Sequence, residues 1–230
     1  MTVTATPSPV GRGRFITFEG GEGSGKSTQL RILASRLNAA GIRAITTREP
    51  GGSPGAEVIR YLVLSGVGKL FGSDMEALLF AAARDDHVHV VIEPALEQGT
   101  WVLCDRFTDS TRVYQGAAGD VDPRLLAALE RVTIGRLAPD VTFILDVPVE
   151  TGLARAAARR GAGEVDRFEQ EGAEFHAKLR AAYRAIAEKE PARCVLVDAT
   201  AEVDRTAGTI WRALGERLPE ILTTRESRPA

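Results

Sequence analysis

Apolar positions along the chain fall into two alternating kinds of pattern. Short continuous runs at Phe15–Phe18, Ile42–Thr46, Trp101–Cys104, Val141–Leu145 and Val195–Val197 read as buried strands. Longer stretches with helical spacing lie between them: Thr28–Ala40, closed by Gly41 as its C-cap, and Pro54 to about Leu64. Ser73–Gln98 follows as a long helix with a bend expected before Pro94, then Ser110–Ala117, Asp122–Arg136 and Val149 to about Arg159. Gln170–Lys189 and Val203–Leu218 complete the set, and the polar, glycine-containing stretch 160–166 reads as a mobile loop.

A strand that is apolar on both faces needs cover on both faces. Strands of this kind separated by helices therefore predict a parallel sheet between two helical layers. No repeat and no linker divides the chain, so residues 14–218 are expected to form one domain. Residues 1–13, rich in Pro, Ser, Thr and Gly, are expected to be a disordered extension, and 219–230 a flexible tail.

Composition narrows the picture modestly. A chain of 230 residues with 44% hydrophobic content is long enough to bury one α/β core. A net charge of −2 gives no basis for tight binding to nucleic acid or to an anionic membrane surface. No apolar stretch approaches the roughly 18–20 residues a membrane helix needs. The N-terminus lacks the apolar segment of a secretory signal. Cys104 and Cys194 both fall in strand runs and read as small core residues in a reducing cytosol, so a cytoplasmic location is expected.

The chemistry begins directly after the first strand. Gly20-Gly21-Glu22-Gly23-Ser24-Gly25-Lys26-Ser27 matches G-x-x-x-x-G-K-[ST] and runs, through Thr28, into a helix. In that setting glycines let backbone N–H groups turn inward around phosphate oxygens, and the helix start adds positive dipole. Lys26 would reach the terminal phosphates of a nucleoside triphosphate, and the Ser27 hydroxyl would ligate Mg²⁺. The expected architecture is a P-loop NTPase-type three-layer αβα sandwich with a five-stranded parallel sheet. Ligands of such sheets bind beyond the carboxyl ends of the strands. Arg48-Glu49 and Asp105-Arg106 end the second and third strands, so both clusters converge on the phosphate loop. Asp105 is either a carboxylate for a magnesium-bound water or an N-cap of the next helix; Arg48 and Arg106 are either phosphate ligands or surface ion pairs. His87 and His89, two apart, are expected to be exposed or at an interface, and Asp85-Asp86 to be a solvated surface pair.

The ordered set FEGGEGSGKST, TREPGGSPGAEVIR, EALLFAAARDDH, WVLCDRFTDSTRVYQG and EVDRFEQE resembles bacterial thymidylate kinase, over about Arg14 to Leu218. The resemblance implies transfer of the γ-phosphoryl of ATP to dTMP with Mg²⁺, by a homodimer. Kinase action on another deoxynucleotide or deoxynucleoside, or a nucleotide-regulated switch, are the competing readings. By resemblance Phe80 is the platform for thymine, although Leu78-Leu79-Phe80 also reads as core; Arg84, one turn on, donates to a thymine carbonyl. Thr111 and Gln115 line the base and sugar region, and Tyr114 packs against the sugar. Arg48 and Arg106 clamp the acceptor phosphate, Glu22 serves its 3′-hydroxyl side, and Glu49 contacts acceptor or a magnesium-bound water. Asp105 orients the reacting phosphate. A helical lid at about 155–168 would close over ATP and bring Arg155, Arg159 or Arg160 to the transferred group. Asp166, Arg167 and Glu169 flank it, and adenine would pack on the loop around Ala199.

Overall fold

Strand β1 (Phe15–Glu19) shows how the sheet is covered. Its side chains alternate, as strand geometry requires. Ile16 and Phe18 enter an apolar cluster with Leu30, Leu33 and Leu37 of α1 (Lys26–Ala39) and Ile210 and Leu214 of α9 (Val203–Arg217). Phe15 points to the other face, where Val102 and Cys104 of β3 (Trp101–Asp105) meet Val88, Ile92 and Leu96. Farther along that second face, Ile144 of β4 (Val141–Asp146) and Cys194 of β5 (Cys194–Asp198) pack on Leu179 and Tyr183 of α8 (Ala173–Lys189). Both cysteines are buried and free.

This computed structural model describes residues 11–65, 70, 72–160, 168, 171–219 and 221. All strand pairings are parallel and the spatial order is β2-β3-β1-β4-β5, with β2 (Ala44–Arg48) on one edge. The register aligns the polar strand ends: Arg48 pairs with Asp105, Asp105 with Phe18, and Asp146 with Asp198. Five strands thus deliver their chemistry to one rim.

Several elements differ from expectation. The second strand lies two residues later than its apolar run, because an edge strand leaves Ile45 and Thr46 exposed and so blurs the signal. The long helix is three segments: α3 (Gly72–His87), a π-helical stretch Val88–Ile92, and α4 (Glu93–Glu97), where Pro94 occupies a first-turn position that needs no N–H. A π-helical stretch, Arg112–Ala117, likewise follows α5 (Thr108–Thr111). Helices α2 (Pro54–Leu64), α6 (Pro123–Ile134) and α7 (Val149–Arg160) fall where predicted. The packed body begins at Gly13, whose N–H bonds Leu96 O at 2.8 Å, and Ile221 joins the core, so the stretch assigned to a flexible tail contributes to packing. The expected extension at 1–10, the lid loop 161–167 with Asp166 and Arg167, and Glu169 lie outside the described residues.

Asp86 and His87 are corrections. Asp86 accepts from Ser53 Oγ (2.6 Å) and Ala56 N (3.2 Å), capping the start of α2. His87 is fully buried, with Nδ1 3.1 Å from Glu49 Oε1 and Nε2 2.7 Å from Thr47 Oγ1. Only His89 and Asp85 of that stretch pair at the surface.

Candidate active site

The phosphate loop spans from β1 to α1. Gly23 has φ +65°, and a Cβ there would stand 1.9 Å from Gly152 O of α7. Gly152 in turn leaves no room for a Cβ against Glu22 O, 2.4 Å away. The loop and α7 therefore meet backbone to backbone, which only glycine permits. Lys26 opens α1 and folds back to donate to Gly20 O (3.0 Å) and Gly21 O (2.9 Å). Burial, reinforced by Arg106, lowers its amine to about 8 against the opposing pull of Glu22 and Asp105. The Ser27 hydroxyl donates to Asp105 Oδ2. These are hard oxygen donors of the sort Mg²⁺ takes. Among the described residues no group of three or more His, Cys, Asp or Glu could hold a metal ion, so an ion held by Ser27 and Asp105 would complete its shell with phosphate and water oxygens.

Arg106 sits at the centre of the rim with φ +70°, in the left-handed region that non-glycine residues seldom adopt. Its Nη2 donates to Glu22 Oε1 at 2.5 Å and its guanidinium lies 4.9 Å from the Tyr114 ring centroid. Tyr114 Oη also donates to Glu22 Oε1, at 3.0 Å. Burial alone would push the Glu22 carboxyl up; Arg106 and Lys26 overcome it and bring it down to about 2. A carboxylate inside a phosphate loop is thus satisfied by a cation and a phenol already in place.

A second cluster lies on α3. Phe80 and Arg84 are one turn apart, and Arg84 is almost entirely buried. Arg84 Nε donates to Glu49 Oε2 (2.7 Å), and Nη2 to Phe107 O (3.1 Å) and Thr111 Oγ1 (3.0 Å). Glu49, expected at acceptor or magnesium, divides its carboxylate between Arg84 and His87 and also borders the cleft. Gln115 Nε2 donates to Glu76 Oε1 at 3.2 Å.

One cleft of about 330 Å³ joins the two clusters, a size suited to a small ligand. Gly23, Gly25, Lys26, Ser27 and Thr28 line one part; Phe80, Arg84, Thr111, Tyr114 and Gln115 line another. Glu22, Arg48, Glu49, Asp105, Arg106 and Arg159 also border it. Arg48 pairs with Glu57 at 2.8 Å on the exposed side. Gly20, Gly21 and Ser24 do not line the cleft; Gly20 and Gly21 line a small neighbouring pocket with Leu145 and Gly152. Arg155 is not brought to the cleft: its guanidinium donates to Ala199 O (2.8 Å) and Thr200 O (3.3 Å), the loop assigned to adenine. Arg155 thus lies against the loop that follows β5, and of the two only Arg159 borders the cleft.

Sequence reasoning missed Glu19, the last residue of β1. It is fully buried and accepts from Phe107 N (2.7 Å), Ser110 Oγ (2.7 Å) and Tyr183 Oη (3.1 Å). An acidic residue closing an apolar run was the available signal.

Comparison with known proteins identifies the family. The family model described as Thymidylate kinase matches residues 18–210. A protein named thymidylate kinase from Nitrobacter winogradskyi is 71% identical over 218 residues, 94% of this chain and 95% of that protein. One of the same name from Bradyrhizobium diazoefficiens is 66% identical over 218 residues, covering 95% and 96%. The crystal structure of thymidylate kinase from Ehrlichia chaffeensis superposes with TM-score 0.69 at 32% identity, covering 88% of this chain and 99% of that one.

Proposed function

The chain belongs to the thymidylate kinase family, and we propose that it transfers the γ-phosphoryl group of ATP to dTMP, giving ADP and dTDP. The observation that carries this reading is a single cleft bordered at once by the phosphate loop and by the Phe80–Arg84 face of α3, with Arg106 between them. An oxygen of the dTMP phosphate attacks the γ-phosphorus, and the bond from that phosphorus to the β,γ-bridging oxygen breaks. Two anionic nucleotides must approach each other, so positioning and charge neutralisation supply most of the catalysis.

Lys26 leaves the Gly20 and Gly21 carbonyls for the donor's phosphates, whose charge restores the full protonation that burial weakens. Arg106, with Arg48, takes the acceptor phosphate; Arg106 exchanges Glu22 for phosphate oxygens. Glu22, released, is free for the acceptor's sugar hydroxyl, and the Tyr114 ring beside it crowds the position of a ribose 2′-hydroxyl. Phe80 stacks on thymine and Arg84 donates to a carbonyl of the base, held at the required angle by Glu49 and Thr111. Arg159 brings a cation to the transferred group. Ser27 and Asp105 would hold Mg²⁺, which when bound would neutralise charge developing on the phosphoryl oxygens. The chain acts as a homodimer, a reading supported by Val58 and Tyr61 of α2 and Met75 and Leu78 of α3, which stay exposed. Its two free cysteines fit a reducing cytoplasm, and no described helix is long and apolar enough to cross a membrane.

The test is an acceptor panel of dTMP, other nucleoside monophosphates and deoxynucleosides, read by coupled ADP formation. The highest specificity constant is expected for dTMP. A higher one for another acceptor, or equal ADP release without acceptor, would overturn the reading.

A further inference from the structure

Glu19 is a fully buried carboxylate that does not itself line the cleft, yet its partners all lead to Arg106. Its Oε1 accepts the N–H of Phe107, the residue directly after Arg106. Its Oε2 accepts from the hydroxyls of Ser110 and Tyr183. Each hydroxyl has one proton to give. The two hydroxyl oxygens also stand 3.0 Å apart, and Arg106 Nη1 lies 3.3 Å from each; both accept from it with lone pairs turned outward when both protons go to Oε2. Gly20 O, also at 3.3 Å, is a third acceptor for the same nitrogen.

Keeping a charge-bearing group here is unfavourable. Burial first, and the neighbouring Asp109 charge second, push the Glu19 carboxyl up to about 7, opposed by Ser110, Arg106 and Phe107 N–H. A purely structural position at a strand end is filled more favourably by an apolar or amide side chain. A carboxylate, however, accepts at both oxygens, so that one takes the Phe107 N–H while the other takes both hydroxyl protons.

We propose that Glu19 is the positioning residue of Arg106: it fixes the left-handed turn through Phe107 N–H and aims the Ser110 and Tyr183 oxygens at Nη1, leaving Nη2 to pass from Glu22 to the acceptor phosphate. The inference rests on the reading of Arg106 as the acceptor-phosphate clamp. Glu19 reaches the substrate only through that guanidinium.

Glu19→Gln keeps one acceptor and turns the other into a donor, which faces either the two hydroxyls or the Phe107 N–H, so either the hydroxyls turn toward Arg106 or the turn that carries Arg106 loses its anchor. The expected result is a KM for dTMP raised about tenfold to hundredfold, the range for losing hydrogen bonds to a charged group, with KM for ATP within about twofold. In an Arg106→Lys background the same substitution should add less than about twofold, since interacting residues are non-additive. If Glu19→Gln does not fold, the Ser110→Ala/Tyr183→Phe pair, which keeps the carboxylate, should give the same one-sided rise. An unchanged KM for dTMP, an equal rise in both KM values, or an undiminished effect in the Arg106→Lys background would overturn the proposal. Arg106→Lys alone tests the underlying reading: if that variant keeps the wild-type KM for dTMP, the clamp assignment itself fails.

Discussion

Replacing Glu49 by alanine removes one carboxylate that serves two buried partners, Arg84 Nε at 2.7 Å and His87 Nδ1 at 3.1 Å. The side chains of Arg84 and Glu49 are 6% and 5% exposed, so water cannot take the missing partner's place. At that separation and an effective dielectric constant of about 20, the attraction is about 6 kcal/mol before the cost of drying both groups is subtracted. Removing one member of such a pair costs about 3–5 kcal/mol, because the other charge remains buried without compensation. For a chain of this length each 1 kcal/mol moves Tm by about 2–4 °C. Glu49→Ala should therefore melt about 6–20 °C below the parent. Glu49→Gln, which keeps an acceptor for one partner, should lose less. Arg84 would retain Phe107 O and Thr111 Oγ1 but lose the anchor at Nε, so KM for dTMP should rise while that for ATP moves little. Chemical unfolding and a coupled ADP assay give both readouts. A stability loss below about 1 kcal/mol, the range of solvent-exposed pairs, would refute the reasoning.

Lys26→Ala should cut kcat by a factor of about 100 or more with the fold intact, as losing a charge-stabilising donor does; near-wild-type turnover in the ADP assay would reject the phosphate-loop role. Phe80→Ala should raise KM for dTMP about tenfold through lost stacking and burial, and an equal rise for ATP would instead make Phe80 an ordinary core residue. Glu22 supplies a pH dependence. Its carboxyl falls from 4.5 to about 2 in the fold, so the stability it contributes is present above pH 4.5 and is lost as pH drops toward 2. The contribution is on the order of 3 kcal/mol. Urea unfolding across that window should show a shallower acid decline for Glu22→Gln, and parallel curves would count against the Arg106–Glu22 pairing.

The sheet was legible because its central strands are apolar on both faces, and the rim because polar residues follow those runs immediately. The phosphate loop, Asp105-Arg106 and the Phe80–Arg84 turn needed no long-range knowledge. What escaped reading depended on partners far along the chain. Glu19 finds its donors 88, 91 and 164 residues away. The spacing of His87 to His89 says nothing of Glu49, 38 residues earlier, which takes His87 inside. Arg155 and Arg159 share a helical face by spacing, yet Arg155 finds the backbone carbonyls of Ala199 and Thr200. The edge strand shifted because three of its five residues are exposed, and Ile221 stands just before a polar stretch that hid its place in the core.

The glycine-to-glycine seat between the phosphate loop and α7 turns that helix into a lever with a fixed fulcrum. Arg159 stands seven residues past Gly152, about 10 Å along the axis at 1.5 Å per residue. A tilt of about 10° at the fulcrum would sweep its Cα by roughly 2 Å, comparable to the difference between a hydrogen bond and none. Gly152 and Arg159 lie within one continuous helix, so any adjustment of the cradle is handed mechanically to the arginine at the cleft's border.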